Sequence, residues 1–255
     1  MGILNITEDS FFDGGRYTSE TAVLKRAGQM LEEGATIIDL GAVSTKPNAI
    51  DVDENQEFTS IQKYLHLILS HFPEAHISID TFRAAVADMA IQEGVALIND
   101  VSGGADPNMF EVAGKHQVPY VLTHNNRNQP LTTQKLIPNM LSFFGNNIEK
   151  LLSKGVKDII IDPGFGFGKT VEQNYYLMNH LETFLVLNFP ILVGISRKSM
   201  IQEVLKTSPA ESLTGTITLN TVALQRGASI LRVHDVKQGA EIIKLINVLC
   251  SLQTT

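Results

Sequence analysis

Three side chains that can hydrogen-bond to a flat ligand come directly after short, largely apolar runs in this sequence. They are Asp80, Asn99 and Asp162. A carboxylate accepts hydrogen bonds, and a side-chain amide both donates and accepts them. The three together therefore suit a planar heterocycle with ring N–H groups and an exocyclic amine. Singly, Asp80 would cap a helix and Asn99 would form an Asx turn, but their shared position after predicted strands favours a binding site.

A second group of polar residues, near the end of the chain, is basic. Lys198, Arg232 and His234 follow two predicted strands, and the hydroxyl of Ser196 lies beside the first of them. Arg offers a fork of donors for phosphate oxygens and Lys a mobile point charge. This predicts a phosphate site, with locally paired surface charge as the alternative. Asn5 can supply an amide oxygen to Mg²⁺, which proteins hold with few ligands plus phosphate oxygens, although a lone Asn is more often a turn residue.

The stretch 162–170 reads DPGFGFGKT and predicts a binding loop after a buried strand. Its glycines allow sharp turns and a close approach of the backbone to a ligand. Phe165 and Phe167 stand between the glycines, where their flat faces can stack on a flat ligand. Two nucleotide motifs are excluded, because Pro163 stands where a P-loop needs Gly and Lys169 stands where G-x-G-x-x-G needs its last Gly.

One local pattern indicates how these residues are positioned. A helical segment ends in Gly, an apolar run follows, and the run stops at a polar residue; this occurs after Gly34, Gly94, Gly155 and Gly227. Gly is the usual residue just past a helix end, and helix followed by buried strand predicts parallel βα units. Four further runs bring the predicted strands to eight, with seven helical segments between them and one after the last.

Eight βα units predict an α/β fold, a closed (β/α)8 TIM barrel that forms a single domain over residues 1–255. An open doubly wound sheet is the alternative, but eight strands would then leave edges to protect. Function in TIM barrels lies at the carboxyl ends of the strands, so the polar residues should share one rim. Two long connections, 7–17 and 41–52, are expected to close over that rim and exclude water.

Composition narrows the possible functions. The net charge of −7 argues against a general nucleic-acid surface. No run reaches the ~18 apolar residues of a membrane span, and the first residues lack the basic start and apolar core of a signal peptide. The single cysteine, Cys250, cannot form an internal disulfide. A cytoplasmic protein without nucleic-acid or membrane partners is therefore expected.

With these motifs in order, the chain resembles dihydropteroate synthases, enzymes of folate biosynthesis. The resemblance extends from the first strand to the last and depends on the combination of motifs. The matching stretches are MGILNIT at 1–7, DSF and DGG at 9–11 and 13–15, STKP at 44–47, SIDT at 78–81, INDV at 98–101, DPG with GFGKT at 162–170, SRKS at 196–199 and RVHD at 232–235.

The resemblance implies a homodimeric barrel that uses Mg²⁺. It would join 6-hydroxymethyl-7,8-dihydropterin diphosphate to 4-aminobenzoate, giving 7,8-dihydropteroate and diphosphate. Asp13, in the first loop, would lie near the incoming amine, and with Asp80, Asp162, Lys198 and Arg232 it forms the expected catalytic set. The implied binding residues are Asp80, Asn99, Asp162 and Lys198 for the pterin, Asn5 (through Mg²⁺), Thr45, Arg232 and His234 for the diphosphate, and Phe11, Pro47, Phe167 and Ser199 for the aminobenzoate.

Two alternatives share the pterin-binding residues. One is a pterin-binding methyltransferase barrel, which has no use for the loop that carries Lys46. The other is a paralogue that binds pterin without chemistry. The departures from the family's usual residues, among them Glu8, Lys46 and Asn125-Asn126, lie in the two long loops and at the fifth strand end. The hypothesis follows that these changes alter sulfonamide affinity more than turnover, since sulfonamides mimic aminobenzoate.

Overall fold

The computed structural model describes residues 1–6, 19–42, 53–126 and 131–251, which form one sheet of eight parallel strands surrounded by helices. The strands follow one another in chain order around the sheet. They are β1 (Gly2–Asn5), β2 (Ile37–Gly41), β3 (His76–Asp80), β4 (Leu97–Asp100), β5 (Tyr120–Thr123), β6 (Ile159–Asp162), β7 (Ile191–Val193) and β8 (Ala228–Leu231).

The sheet closes on itself, which confirms the barrel and excludes the open sheet. Gly2 forms a parallel bridge with Val233, just after β8. The N–H of Ile3 donates to the carbonyl of Val233 at 2.9 Å, and the N–H of Val233 donates to the carbonyl of Met1 at 3.0 Å. Closure leaves no strand edge at this seam and brings the end of β1 beside the end of β8.

Helices cover the outside of the barrel, and the connection from β7 to β8 contains two of them where the sequence analysis predicted one. Lys206 has a φ of +55°, which ends the first of the pair, and Pro209 follows in the turn before the second. The helices of the described part are α1 (Ser19–Glu32), α2 (Glu54–His71), α3 (Ala84–Gln92), α4 (Met109–His116), α5 (Thr133–Ser153), α6 (Val171–Asn179), α7 (Ser199–Leu205), α8 (Leu213–Gln225) and α9 (Val236–Ser251), with a 3₁₀ helix at Leu181–Leu187 between α6 and β7. None of the described helices has the length and apolarity to cross a membrane.

The four glycines predicted to end helices do so. Gly34, Gly94, Gly155 and Gly227 have φ values of +98°, +106°, +88° and +94°, a conformation that glycine adopts at little cost. The chain can therefore turn from each of these helices directly into the next strand. The positive φ of these glycines thus explains why each of these helices is followed so closely by a strand.

Apolar side chains fill the barrel at its amino-terminal end. Leu97, Val121 and Leu192 form a small buried cluster there, against which Met1 and Ile37 pack. β2 continues through Asp39 to Gly41 and β4 through Asn99 to Asp100, so these two polar groups, each predicted to follow an apolar run, lie inside strands. The seventh run predicted a strand from Ile191 to Ile195, whereas β7 ends at Val193. Asp39 and Asn99 therefore lie beyond this apolar cluster, toward the carboxyl end of the barrel.

Candidate active site

A buried ionic cluster connects the ends of four strands, β2, β3, β4 and β8, at the carboxyl end of the barrel. Arg232, directly after β8, donates from Nε to Asp39 Oδ2 at 2.6 Å and from Nη2 to Asp80 Oδ2. Asn99 Nδ2 donates to the same Asp39 oxygen at 3.0 Å. The Asp39 and Asn99 side chains are fully buried. Residues far apart in sequence thus meet at one place, as the sequence analysis expected for Asp80, Asn99 and Arg232.

Burial controls protonation in this cluster. Burial raises the pKa of Asp80 to about 7, and the nearby Arg232 charge only partly offsets this. Burial also opposes the charge on Arg232, but Asp39 and Asp80 outweigh it and raise the pKa of the guanidinium above its ordinary value. The guanidinium therefore stays charged, and Asp80 can exchange a proton near neutral pH.

The end of β1 lies at the same rim. Asn5 is paired in register with Gly41 of β2. A Cβ added at Gly41 would lie 3.3 Å from Asp80 Cβ and 3.7 Å from Asn5 Oδ1. The absence of a side chain at Gly41 therefore keeps open the space between the Asn5 amide oxygen and Asp80.

The glycine-rich loop after β6 positions a second acid and a lysine. Asp162 Oδ1 accepts a hydrogen bond from the N–H of Gly164 at 2.7 Å. Lys198 Nζ donates to the carbonyl of Phe165 and lies 4.7 Å from the centre of the Phe167 ring. Burial raises the pKa of Asp162, while the charges of Lys198 and Arg232 lower it. The second acid therefore lies within electrostatic reach of the first cluster.

Left-handed glycines shape this loop. Gly164, Gly166 and Gly168 have φ values of +67°, +81° and +65°. A Cβ at Gly164 would overlap the carbonyl oxygen of His124, so a larger residue here would have to displace the neighbouring backbone. At Gly166 the nearest atom would be Cδ of Lys198 at 3.3 Å, which shows how closely that side chain lies along the loop.

Local contacts hold the residues that the sequence predicted to bind phosphate. The His234 imidazole Nδ1 lies 3.0 Å from Ser196 Oγ, and the His234 N–H donates to the same hydroxyl at 3.2 Å. Arg26 Nη2 donates to the carbonyl of His234 at 2.5 Å. Arg197 forms a two-pronged ion pair with Asp235 at 3.0 and 2.7 Å. The acid of this segment is therefore engaged by Arg197, and His234 is oriented by Ser196.

Some expected residues are not in the described site. Phe11, Asp13, Thr45 and Pro47 lie outside the described residues, as do positions 7–17 and 43–52 of the two long connections. Ser199 is exposed in the first turn of α7.

The expectation that Phe165 stacks on a ligand is wrong. Its side chain is fully buried in the main core, because the left-handed glycines on either side turn it inward. Phe167 is also largely buried, with 7% exposed, but its ring lies next to Lys198. Only one of the two aromatic faces predicted for the loop thus belongs to the site.

His124 is paired with an amide side chain in this arrangement. Its Nε2 lies 3.3 Å from Asn139 Oδ1, and burial together with the Lys169 charge lowers the pKa of the imidazole to about 4. Within the described ranges, no three His, Cys, Asp or Glu side chains are grouped so that they could hold a metal ion.

Sequence reasoning missed two residues of the site. Asp39, the polar residue at which the apolar run after Gly34 stops, was not assigned a role, yet it holds both Arg232 and Asn99; a carboxylate inside an apolar run was the available signal. Lys169 entered only through a motif that failed. It is nearly buried and donates to three main-chain carbonyls of this region.

Comparison with known proteins identifies relatives along the whole length of the chain. Residues 1–234 match the family described as "Pterin binding enzyme". Dihydropteroate synthase of Bacillus subtilis is 42% identical over 252 residues, covering 98% of this chain and 87% of the relative. The structure of a Clostridium difficile dihydropteroate synthase in the presence of pteroic acid has a TM-score of 0.92 at 37% identity, covering 97% and 95% of the two chains. That of Xanthomonas albilineans with 4-aminobenzoic acid has a TM-score of 0.91 at 32% identity, covering 100% and 92%.

Proposed function

This chain belongs to the pterin-binding enzymes, and within them to the dihydropteroate synthases, and from this we infer the reaction of its barrel. It joins 6-hydroxymethyl-7,8-dihydropterin diphosphate to 4-aminobenzoate, giving 7,8-dihydropteroate and diphosphate. The observation that carries the proposal is the convergence of Asp80 and Arg232 at one rim with Asp162 and Lys198. A flat ring and an anionic leaving group need those opposite kinds of partner side by side.

The pterin ring would lie between the two buried acids. Asp162 and Asp80 accept hydrogen bonds from ring N–H groups and the exocyclic amine. The Asn99 amide can both donate to the ring and accept from it. Lys198, next to the Phe167 ring, donates to a ring acceptor. Because both acids are buried, their interactions with the ring are strengthened by the low local dielectric.

The leaving group would meet the basic side of the rim. His234 is pre-oriented by Ser196 and can hydrogen-bond to the departing diphosphate, while the Arg232 guanidinium remains charged and can neutralise charge that develops on it. The C–O bond to the methylene carbon breaks, and its electron pair leaves with the diphosphate. The amine of 4-aminobenzoate forms the new C–N bond and then loses a proton to solvent. Asp80 and Asp162 stabilise the positive charge that the ring carries in between.

Mg²⁺ fits this arrangement as a companion of the diphosphate. Asn5 offers a single amide oxygen, and Gly41 leaves space beside it; one protein oxygen plus phosphate oxygens and water is typical of Mg²⁺ sites. The ion would supply charge neutralisation on the leaving group. Loss of the Asn5 amide in Asn5→Leu should raise the Mg²⁺ concentration needed for half-maximal binding of pterin diphosphate, measured by calorimetry.

The homodimer implied by the family has a candidate surface. Large apolar side chains are exposed on the 3₁₀ helix, on α7 and on α9, while α8 packs against both α7 and α9. Exposed apolar patches of this kind mark protein–protein contacts in soluble proteins. Sedimentation of wild type and of Val186→Glu tests this surface, and a monomeric variant is expected. The exposed residues are Leu185, Val186, Val204, Leu205, Ile243, Leu245, Val248 and Leu249.

Diphosphate release tests the reaction directly. Wild type should release diphosphate only when both substrates are present, and one dihydropteroate should form per diphosphate. Heat of binding with pterin diphosphate but no release on addition of 4-aminobenzoate would favour the non-catalytic paralogue. Methyl transfer from methyltetrahydrofolate without diphosphate release would favour the methyltransferase.

A further inference from the structure

Lys169 is an almost fully buried lysine at the base of the glycine-rich loop, with 9% of its surface exposed. Its Nζ donates to the carbonyls of Gly164 at 2.8 Å, His124 at 3.2 Å and Phe167 at 3.3 Å. A protonated lysine has three N–H donors, and three acceptors surround this nitrogen; burial lowers the pKa of the ammonium to about 7. The side chain therefore joins both arms of the loop to the end of β5.

The backbone at Lys169 is itself held by hydrogen bonds, so the position from which the side chain extends is fixed. Thr170 caps α6, and its side chain forms a capping box with Gln173. Asn174 Nδ2 donates to the carbonyls of Lys169 at 3.2 Å and Thr170 at 2.8 Å. Asn174 Oδ1 accepts from the N–H of Gly166 at 2.7 Å. The loop is thus held from α6 at one side and by the Lys169 ammonium from within.

Within the 164–168 loop, two carbonyls are directed at Lys169 and a third is directed at Lys198. With the carbonyls of Gly164 and Phe167 directed at Lys169, the carbonyl of Phe165 is directed at Lys198 Nζ. The neighbouring peptide, on the other side of the Gly164 Cα, presents its N–H to Asp162. The contacts that orient Asp162 and Lys198 are therefore both made by the loop that Lys169 holds.

We propose that Lys169 is a positioning residue of the reaction, which acts through the 164–168 loop on Lys198, Asp162 and the Phe167 ring. The proposal rests on the proposed function for its effect on turnover. The donors of Lys169 are directed at main-chain carbonyls, so the side chain acts by setting the positions of the loop carbonyls and the Phe167 ring. A displacement of about 1 Å in such a support costs on the order of a hundredfold in rate.

Lys169→Met tests the proposal, because it removes the ammonium and keeps an unbranched side chain of similar length. Lys244→Met, at an exposed position of α9, is the matched control. Kinetics are measured where circular dichroism shows both variants fully folded. We expect Lys169→Met to raise the KM of both substrates and to lower kcat/KM by about ten- to a hundredfold, with the control unchanged. A purely structural role would lower the melting temperature and leave both KM values at wild type, and that result overturns the proposal.

Lys169→Gln is the second variant, because its amide still donates two hydrogen bonds and is less disruptive than Met. An intermediate fall in kcat/KM is expected, and wild-type kinetics would again overturn the proposal. A measurement independent of turnover follows the ¹³C-methyl resonance of reductively methylated Lys198, assigned by its absence in Lys198→Arg. This resonance should shift in both Lys169 variants. Wild type without turnover would refute the proposed reaction, whereas an unshifted Lys198 resonance would refute the positioning role.

Discussion

Replacing Gly164 by Ala is the sharpest test of the site geometry. Gly164 has a φ of +67°, and an added Cβ would overlap the carbonyl oxygen of His124 and lie 3.1 Å from its carbonyl carbon. A left-handed L-residue costs about 1–2 kcal/mol, and overpacking a tight region costs about 1–3 kcal/mol more. The variant should therefore lose roughly 2–5 kcal/mol of unfolding free energy.

The same substitution should also reach the chemistry. Relieving the overlap moves the loop away from β5, and the hydrogen bond from the Gly164 N–H to Asp162 moves with it. A shift of about 1 Å corresponds to a loss on the order of a hundredfold in kcat/KM. Urea unfolding gives the free energy, and diphosphate release gives the kinetics at a temperature where the variant is folded.

Gly145→Ala is the matched control for this experiment. Gly145 lies inside α5, and a Cβ there would have no atom within 4 Å. Ala in a helix interior is favoured over Gly by about 0.5–1 kcal/mol, so this variant should be slightly stabilised with unchanged kinetics. Equal stability and equal kcat/KM for Gly164→Ala and wild type would refute the assigned loop conformation.

Three further outcomes are expected. Arg232→Ala and Lys198→Ala should each abolish most turnover in the diphosphate-release assay, and a wild-type rate in either would remove that residue from the mechanism. Burial raises the pKa of Asp80 in the folded state to about 7, above the value near 3.8 of the unfolded chain. The contribution of Asp80 to stability is therefore full below pH ~4 and is lost as pH rises through 7. Asp80→Asn should flatten this part of the pH dependence in urea unfolding, and an unchanged slope would contradict the assignment. Sulfonamide inhibition constants should differ more from those of a family member with the usual loops than the turnover numbers do, and equal inhibition of the two would count against the loop hypothesis.

The sequence predicted the scaffold well because local rules determine it. Gly34, Gly94, Gly155 and Gly227 end helices through their own backbone freedom, and the apolar runs that follow can only be buried strands. The polar residues at the run ends then share a rim by the geometry of parallel strands. None of these steps needs knowledge of a distant contact.

The contacts between side chains did not follow from the sequence. Arg232 pairs with Asp39 and Asp80 because β8 closes beside β1, and that proximity appears only in three dimensions. The inward turn of Phe165 depends on the sign of φ at its neighbours. The second helix between β7 and β8 depends on the left-handed Lys206, which has no strong sequence signal.

The pairing of Arg232 with Asp39 has a consequence for biosynthesis of the protein. The two residues are 193 positions apart, and the partner Asp80 is 152 positions away. A nascent chain that lacks β8 would hold both carboxylates without their cation, and unpaired buried charge is strongly unfavourable. Contacts so distant along the chain form slowly, since a long loop must close first. Ribosome-bound fragments that end before β8 should therefore bind chaperones, and the ability to hold a pterin should arise only once the last strand has left the exit tunnel.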